Sequence, residues 1–394
     1  MISFARYSTL LARPTLRASI AASFLGRLPI GITGIAILML AQSATGSFAR
    51  AGTVAACYTI GLAALAPALG RAIDRYGPKG PLLASAFAFP AALLALVFAL
   101  QSGGALWIAG LLAAAAGACF PPITVCMRTF LKQQLQDDAL LAAAYSLESV
   151  LIETIFILGP LLVAFFVALV SPAAAVLFAA ACGLAGTLLF RASRALAEWR
   201  IEPRRAASLF GPLAEPGFVP LLVVVFCYSS AFGLVEIGTI AYANELGRPA
   251  FAGVLLGVMS VSSAAGGLVY GSRTWGLPLA RQFPLALAIM GLSIAPLAFL
   301  AADWAFTLWC LPAGLAMAPA LIMQAMLVAK LSRPDQSTEA FTWSTTALLA
   351  GVSGGLALGG LLLEWGRSPA ALGAAALLAL AAGALALKLV KTPG

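Results

Sequence analysis

The chain has 394 residues, 62% of them hydrophobic and 9% charged, with 23 Lys and Arg against 14 Asp and Glu, a net charge of +9 and no histidine. Its mean hydropathy is +1.01. A water-soluble globule cannot hide so much apolar surface, histidine-dependent catalysis is excluded, and the basic balance has to be explained by where the charges fall.

Apolar runs long enough to cross a hydrocarbon core of about 30 Å follow one another along the whole chain. They predict helices over 16–41, 49–69, 81–101, 105–127, 139–167, 171–190, 218–243, 250–270, 283–302, 305–329, 340–363 and 368–389, here helices 1 to 12. Lipid offers no partners to a bare backbone, and the period-two alternation of a membrane barrel is absent, so these are helices. The first is too long, and too far from a small-residue cleavage site, for a signal peptide; it is read as retained.

Helix 1 carries Arg27 in "FLGRLPIG", near its middle. Between helices 2 and 3 lies "GRAIDRYGPKG", which concentrates Arg71, Asp74, Arg75 and Lys79 between two apolar runs. Helix 4 contains Pro121 and Pro122, which bend or loosen a helix. Helix 5 carries Glu148 and Glu153. Five residues turn a helix by roughly 140°, so the two carboxyls occupy different faces.

After helix 6 comes the longest polar stretch, and the chain divides into 1–192, a linker at 193–216, and 217–394. Helix 7 holds Glu236 in "FGLVEIGTIAY", with Tyr228, Thr239 and Tyr242 as polar handles. Helix 10 carries Pro312, Pro319, Gln324 and the adaptable methionines Met317, Met323 and Met326. In helix 11, "GVSGGLALGG" allows close packing against a neighbour.

Each ionisable group at mid-membrane costs about 2.5–3.5 kcal/mol or more, so Arg27, Glu148, Glu153 and Glu236 should face a partner or a cavity. Arg27 is expected to pair with one of the two helix 5 glutamates, with depth favouring Glu153. The other would then be free to carry a proton, or both would be static structural groups. Glu236 is expected in a substrate or proton role, with Tyr228, Met323 and Gln324 lining a substrate cavity.

If the N-terminus is cytoplasmic, nineteen Lys and Arg residues fall in loops and tails on that side, among them Arg6, Arg204, Arg205 and Lys391. The opposite loops hold only Arg50, Arg248 and Arg367. This asymmetry predicts both termini in the cytoplasm, and it accounts for the net charge without a nucleic-acid partner. Trp107, Trp304 and Trp365 fall near the outer helix ends, where amphipathic rings favour the interface. The six cysteines lie in or at the ends of helices without CxxC spacing, so they read as packing residues, and no metal or other cofactor is expected.

The halves echo each other. Arg75 and Arg273, Pro121 and Pro319, and Lys132 and Lys330 are each 198 residues apart. Duplicated six-helix halves are a transporter architecture.

With twelve helices, two halves, a central linker and this charged turn, the chain resembles the major facilitator superfamily. That family's loop between helices 2 and 3 reads roughly G-x-x-x-D-R-x-G-[RK]-[RK]. Gly70, Asp74, Arg75, Gly77 and Lys79 match, and Pro78 departs from it. The resemblance implies an all-α membrane fold of two pseudo-symmetric six-helix bundles around a central cavity. It also implies that the charged turn is a conformational latch, made in one access state and broken in the other. The second-half turn "YGSRTWG" keeps Arg273 without an aspartate, so the latch is asymmetric.

Similarity to the drug–proton antiporters is weaker. Gly159 and Pro160 match their helix 5 pattern, Val163 and Ala164 replace its closing glycines, and helix 4 has no arginine.

No nucleotide-binding or kinase signature is present, so an ion gradient is the expected energy source, and protons fit the internal glutamates. The expectation is a monomeric, multi-pass protein of a bacterial plasma membrane. It would export small hydrophobic molecules against protons and contact membrane lipid. Uptake or export of one polar metabolite, or a non-transporting sensor, are the alternatives. No nucleophile–base constellation points to an enzyme.

Overall fold

The computed structural model describes residues 5–201, 210–249 and 251–389. Arg204 and Arg205 of the linker, and Lys391 of the tail, lie outside the described residues. Among the described residues there is no strand, and twelve helices are long and apolar enough to cross a membrane. They are α1 (Pro14–Thr45), α2 (Arg50–Tyr76), α3 (Lys79–Gln101), α4 (Leu106–Gln134), α5 (Asp138–Leu169) and α6 (Pro172–Arg191). The second half supplies α7 (Phe218–Glu245), α8 (Phe251–Ser272), α9 (Leu279–Ala298), α10 (Asp303–Leu331), α11 (Pro334–Glu364) and α12 (Ser368–Lys388). A short helix, Ala5–Leu11, precedes them.

All twelve predicted helices are present, and several run past their predicted ends. The largest differences are at α2, which continues from the predicted 69 to Tyr76, and at α4, which continues from the predicted 127 to Gln134. Hydropathy stops where Arg71 and Asp74 begin, but backbone hydrogen bonding carries on through charged residues once they leave the hydrocarbon.

Three spans are interrupted, each beside proline. α1 consists of Pro14–Arg27 and Pro29–Thr45, α4 of Leu106–Ala118 and Ile123–Gln134, and α10 of Asp303–Leu315 and Met317–Leu331. Proline has no N–H to donate and its ring crowds the carbonyl one turn back. Pro121 lies within the α4 break, and its match Pro319 lies just past the α10 break.

By contacts the chain forms two compact units. The N-unit comprises Ser8–Gln134 and Thr154–Arg205; the C-unit comprises Met1–Tyr7, Leu135–Glu153 and Ala206–Gly394. The first half of α5 therefore groups with the C-unit, whereas the sequence divides the chain only at 193–216.

Within the N-unit, helices cross where side chains are smallest. A Cβ on Gly61 would strike the Ala114 carbonyl, and one on Gly117 the Tyr58 carbonyl, so α2 and α4 touch backbone to backbone. The C-unit repeats this device. Gly266 of α8 lies against the Leu315 carbonyl, and Gly355 of α11 against the Ser230 carbonyl of α7. Close approach of this kind substitutes for the hydrophobic drive that lipid does not supply between helices.

Candidate functional site

The charged turn is two residues long. α2 ends at Tyr76, and the next helix starts at Lys79, leaving Gly77 and Pro78 as the connection. Gly77 has φ +80°, a conformation that L side chains rarely adopt, and its N–H donates to the Ile73 carbonyl at 2.8 Å. Gly70, the first residue of the matched pattern, is helical and buried.

Asp74 and Arg75 thus hang from the last turn of α2, half-buried and exposed respectively. Arg75 sits 5.1 Å from the Tyr76 ring centroid. Asp74 is within electrostatic reach of Lys132 near the end of α4. The Lys79 side chain is exposed, and its carbonyl accepts from Arg191 Nε at 3.1 Å.

The intramembrane charges have different surroundings. Arg27 ends the first segment of α1 and is 1% exposed, in the N-unit. Glu148 is 2% exposed, in the C-unit part of α5. Glu153 is half-buried, and its Oε1 accepts from Ser263 Oγ of α8 at 2.8 Å. Glu236 is exposed on α7.

Two of the expected cavity residues are brought together directly. Tyr228 Oη of α7 donates to Gln324 Oε1 of α10, and Gln324 Nε2 donates to Ser344 Oγ of α11 at 2.6 Å. All three side chains are buried. The rings of Phe232 and Phe283 meet Tyr228 edge-on, with centroids 5.4 and 6.0 Å away. Met323 and Met326 are buried as well. Tyr242 donates to the Ala301 carbonyl at 3.1 Å and stacks on Phe306, and Thr239 is fully buried.

Sequence reasoning missed several polar groups. Ser263 accepts the Ala318 N–H at 3.1 Å while it donates to Glu153. The stretch "RPDQSTEAFTWSTT" buries Asp335, Gln336, Ser337, Thr338, Glu339 and Thr342. Polar residues ahead of an apolar run read as a solvated loop, so only their density signalled otherwise. Lys330 pairs with Asp138 at 2.6 Å, and Arg333 reaches Glu215 at 3.6 Å and Asp335 at 3.4 Å. At the N-terminal ends of α8 and α10, a groove of about 520 Å³ is lined by Phe251, Val258, Trp304 and Leu308, beside an Arg248–Asp303 ion pair at 3.3 Å. None of the expected site residues lines it. Among the described residues, no cluster of His, Cys, Asp and Glu could hold a metal ion.

The sequence matches the family model of the Major Facilitator Superfamily over residues 20–276. No curated protein matches it in sequence. In structure it is similar to a bacterial homologue of the iron transporter ferroportin in its outward-facing state, with a TM-score of 0.78, 14% identity, and 95% of this chain and 98% of that one covered. The human organic anion transporter MFSD10 (TETRAN) gives a TM-score of 0.73 at 18% identity, covering 95% of this chain and 100% of the other. The proton:xylose symporter XylE gives 0.71 at 14% identity, covering 98% and 97%. These similarities carry the fold, and the family match spans well over half of the chain. The chain belongs to the major facilitator superfamily and is a multi-pass membrane transporter of small molecules, not an enzyme.

Proposed function

We propose that this transporter exports small hydrophobic molecules from a bacterial cytoplasm and is driven by protons entering through Glu153. The observation that carries the reading is the carboxyl at mid-membrane whose partner is a neutral hydroxyl, Ser263 Oγ at 2.8 Å. A carboxylate in that position is costly, and taking up a proton removes the charge. A carboxyl of this kind can therefore be loaded from one side of the membrane and emptied to the other. Glu236, exposed on a largely apolar helix, is a second group that requires water or a cationic substrate nearby.

In this reading 1–192 and 217–394 alternate as two bodies joined by the linker at 193–216, and the protein works as a monomer in the plasma membrane with both termini cytoplasmic. Gly70, Asp74, Arg75, Gly77 and Lys79 form the latch. The substrate cavity is assigned to Glu236, Tyr228, Met323 and Gln324. The structurally similar proteins include an organic anion transporter, a homologue of an iron transporter and a proton:xylose symporter, so the substrate has to be read from this chain's own residues.

One observation favours a narrower substrate. The Tyr228–Gln324–Ser344 chain is a buried hydrogen-bonding array from three helices, which suits a single polar metabolite better than a range of apolar ones.

The test is accumulation of a fluorescent lipophilic cation in cells expressing the protein, with and without a protonophore. Lower accumulation, abolished by the protonophore and lost in Glu153→Gln, is expected. Export that persists in Glu153→Gln and in Glu148→Gln would remove proton carriage by the α5 carboxyls. Accumulation equal to that in empty cells would turn the assignment to the polar metabolite.

A further inference from the structure

We propose that Ser263 is a positioning residue that transmits the charge of Glu153 to the break in α10. The inference rests on the reading of Glu153 as the proton carrier.

The second segment of α10 starts at Met317, and its N-cap residue, Ala316, has no side chain able to accept a backbone N–H. A helix start leaves its first N–H groups without intrahelical partners, and a neighbouring Ser, Thr, Asp or Asn commonly satisfies one of them. Here the hydroxyl comes from another helix. Ser263 of α8, 1% exposed, accepts the Ala318 N–H at 3.1 Å.

The same hydroxyl donates its one hydrogen to Glu153 Oε1 at 2.8 Å. Beside it, Ser262 donates to the Leu311 carbonyl in the segment before the break. Two adjacent serines of α8 therefore hold both sides of the α10 interruption, and one of them is wired to a carboxyl.

The wiring has a direction. An ionised Glu153 only accepts, so Ser263 must donate to it and present a lone pair to Ala318. The negative charge then strengthens the hydroxyl as an acceptor and acts, through one atom, on the partial positive charge of a helix N-terminus. A protonated Glu153 can donate instead. Ser263 then loses its acceptor, its hydrogen turns to another partner such as a carbonyl one turn back in its own helix, and the cap on α10 weakens.

Few other charges bear on this pair within the C-unit. α8 has no charged residue between Phe251 and Ser272, and facing Glu153 it offers the hydroxyls of Ser260 and Ser263. The charges of α10 lie at its two ends, Asp303 and Lys330. On α5 itself Glu148 lies on a different face. Arg27 belongs to the N-unit. Protonation of Glu153 thus loosens the α10 break, and unloading the proton tightens it.

The experiment is hydrogen–deuterium exchange of peptides covering 316–322 in the purified full chain, held in lipid nanodiscs without substrate. At neutral pH, Glu153→Gln should raise exchange at these amides about fivefold, as expected for the loss of a helix cap. Ser263→Ala should do the same, and the double variant should add nothing further. Ser263→Thr keeps the hydroxyl and should restore wild-type protection.

After correction for intrinsic rates, the wild type should reach the Glu153→Gln level as the pH falls, and Ser263→Ala should stay flat. Wild-type protection in Glu153→Gln, with faster exchange in Ser263→Ala, would leave Ser263 a static cap and overturn the link. Wild-type protection in Ser263→Ala would overturn it too. No transport is measured here, so Glu153→Gln that still exports against protons would defeat the carrier reading without deciding this one.

Discussion

Gln324 is held at both ends of its amide, by Tyr228 Oη on one side and Ser344 Oγ on the other. Removing the Tyr228 hydroxyl leaves the buried amide oxygen of Gln324 without that donor. An unsatisfied buried acceptor costs about 1–3 kcal/mol, so Tyr228→Phe should lower the thermal midpoint of the purified protein by several degrees. Combining it with Gln324→Leu should cost less than the sum of the two, because the second change removes the orphaned group. Additive losses would show that the two side chains do not act as a pair. The sequence made Tyr228 and Gln324 candidates because polar groups are rare in an apolar helix. It could not show that they meet, since they lie 96 residues apart.

At the scale of elements, the fold depends on breaks and crossings. The breaks in α1, α4 and α10 follow from prolines visible in the chain, and the close crossings follow from glycines whose partners are not. A Cβ on Gly355 would strike the Ser230 carbonyl, whereas one on Gly360, five residues on, meets nothing within 4 Å. Gly355→Val should therefore reduce the yield of monodisperse protein in size-exclusion chromatography, and Gly360→Val should not. Overpacking of this kind costs about 1–3 kcal/mol, and more where backbone must move. Equal yields would remove the α7–α11 crossing as a determinant of stability.

The number of helices was legible because a span needs about 20 apolar residues and leaves a long trace. Helix ends were less so: α2 keeps its hydrogen bonds to Tyr76, well after hydropathy has fallen. The partner of Glu153 was not legible either. A serine in an apolar helix can satisfy itself on its own backbone, so Ser263 carried no mark until its distance to the carboxyl was known.

For the whole molecule, the excess of positive charge follows the helix ends, and the family match makes the protein a transporter. What drives it is the central claim, and one measurement tests it most directly. The purified protein is placed in proteoliposomes with an imposed pH gradient, and movement of a fluorescent lipophilic cation is followed as the gradient is applied and then collapsed. The account predicts movement opposite to the proton gradient, stopping on collapse and absent in Glu153→Gln. Movement that ignores the gradient, or that Glu153→Gln retains in full, would contradict it.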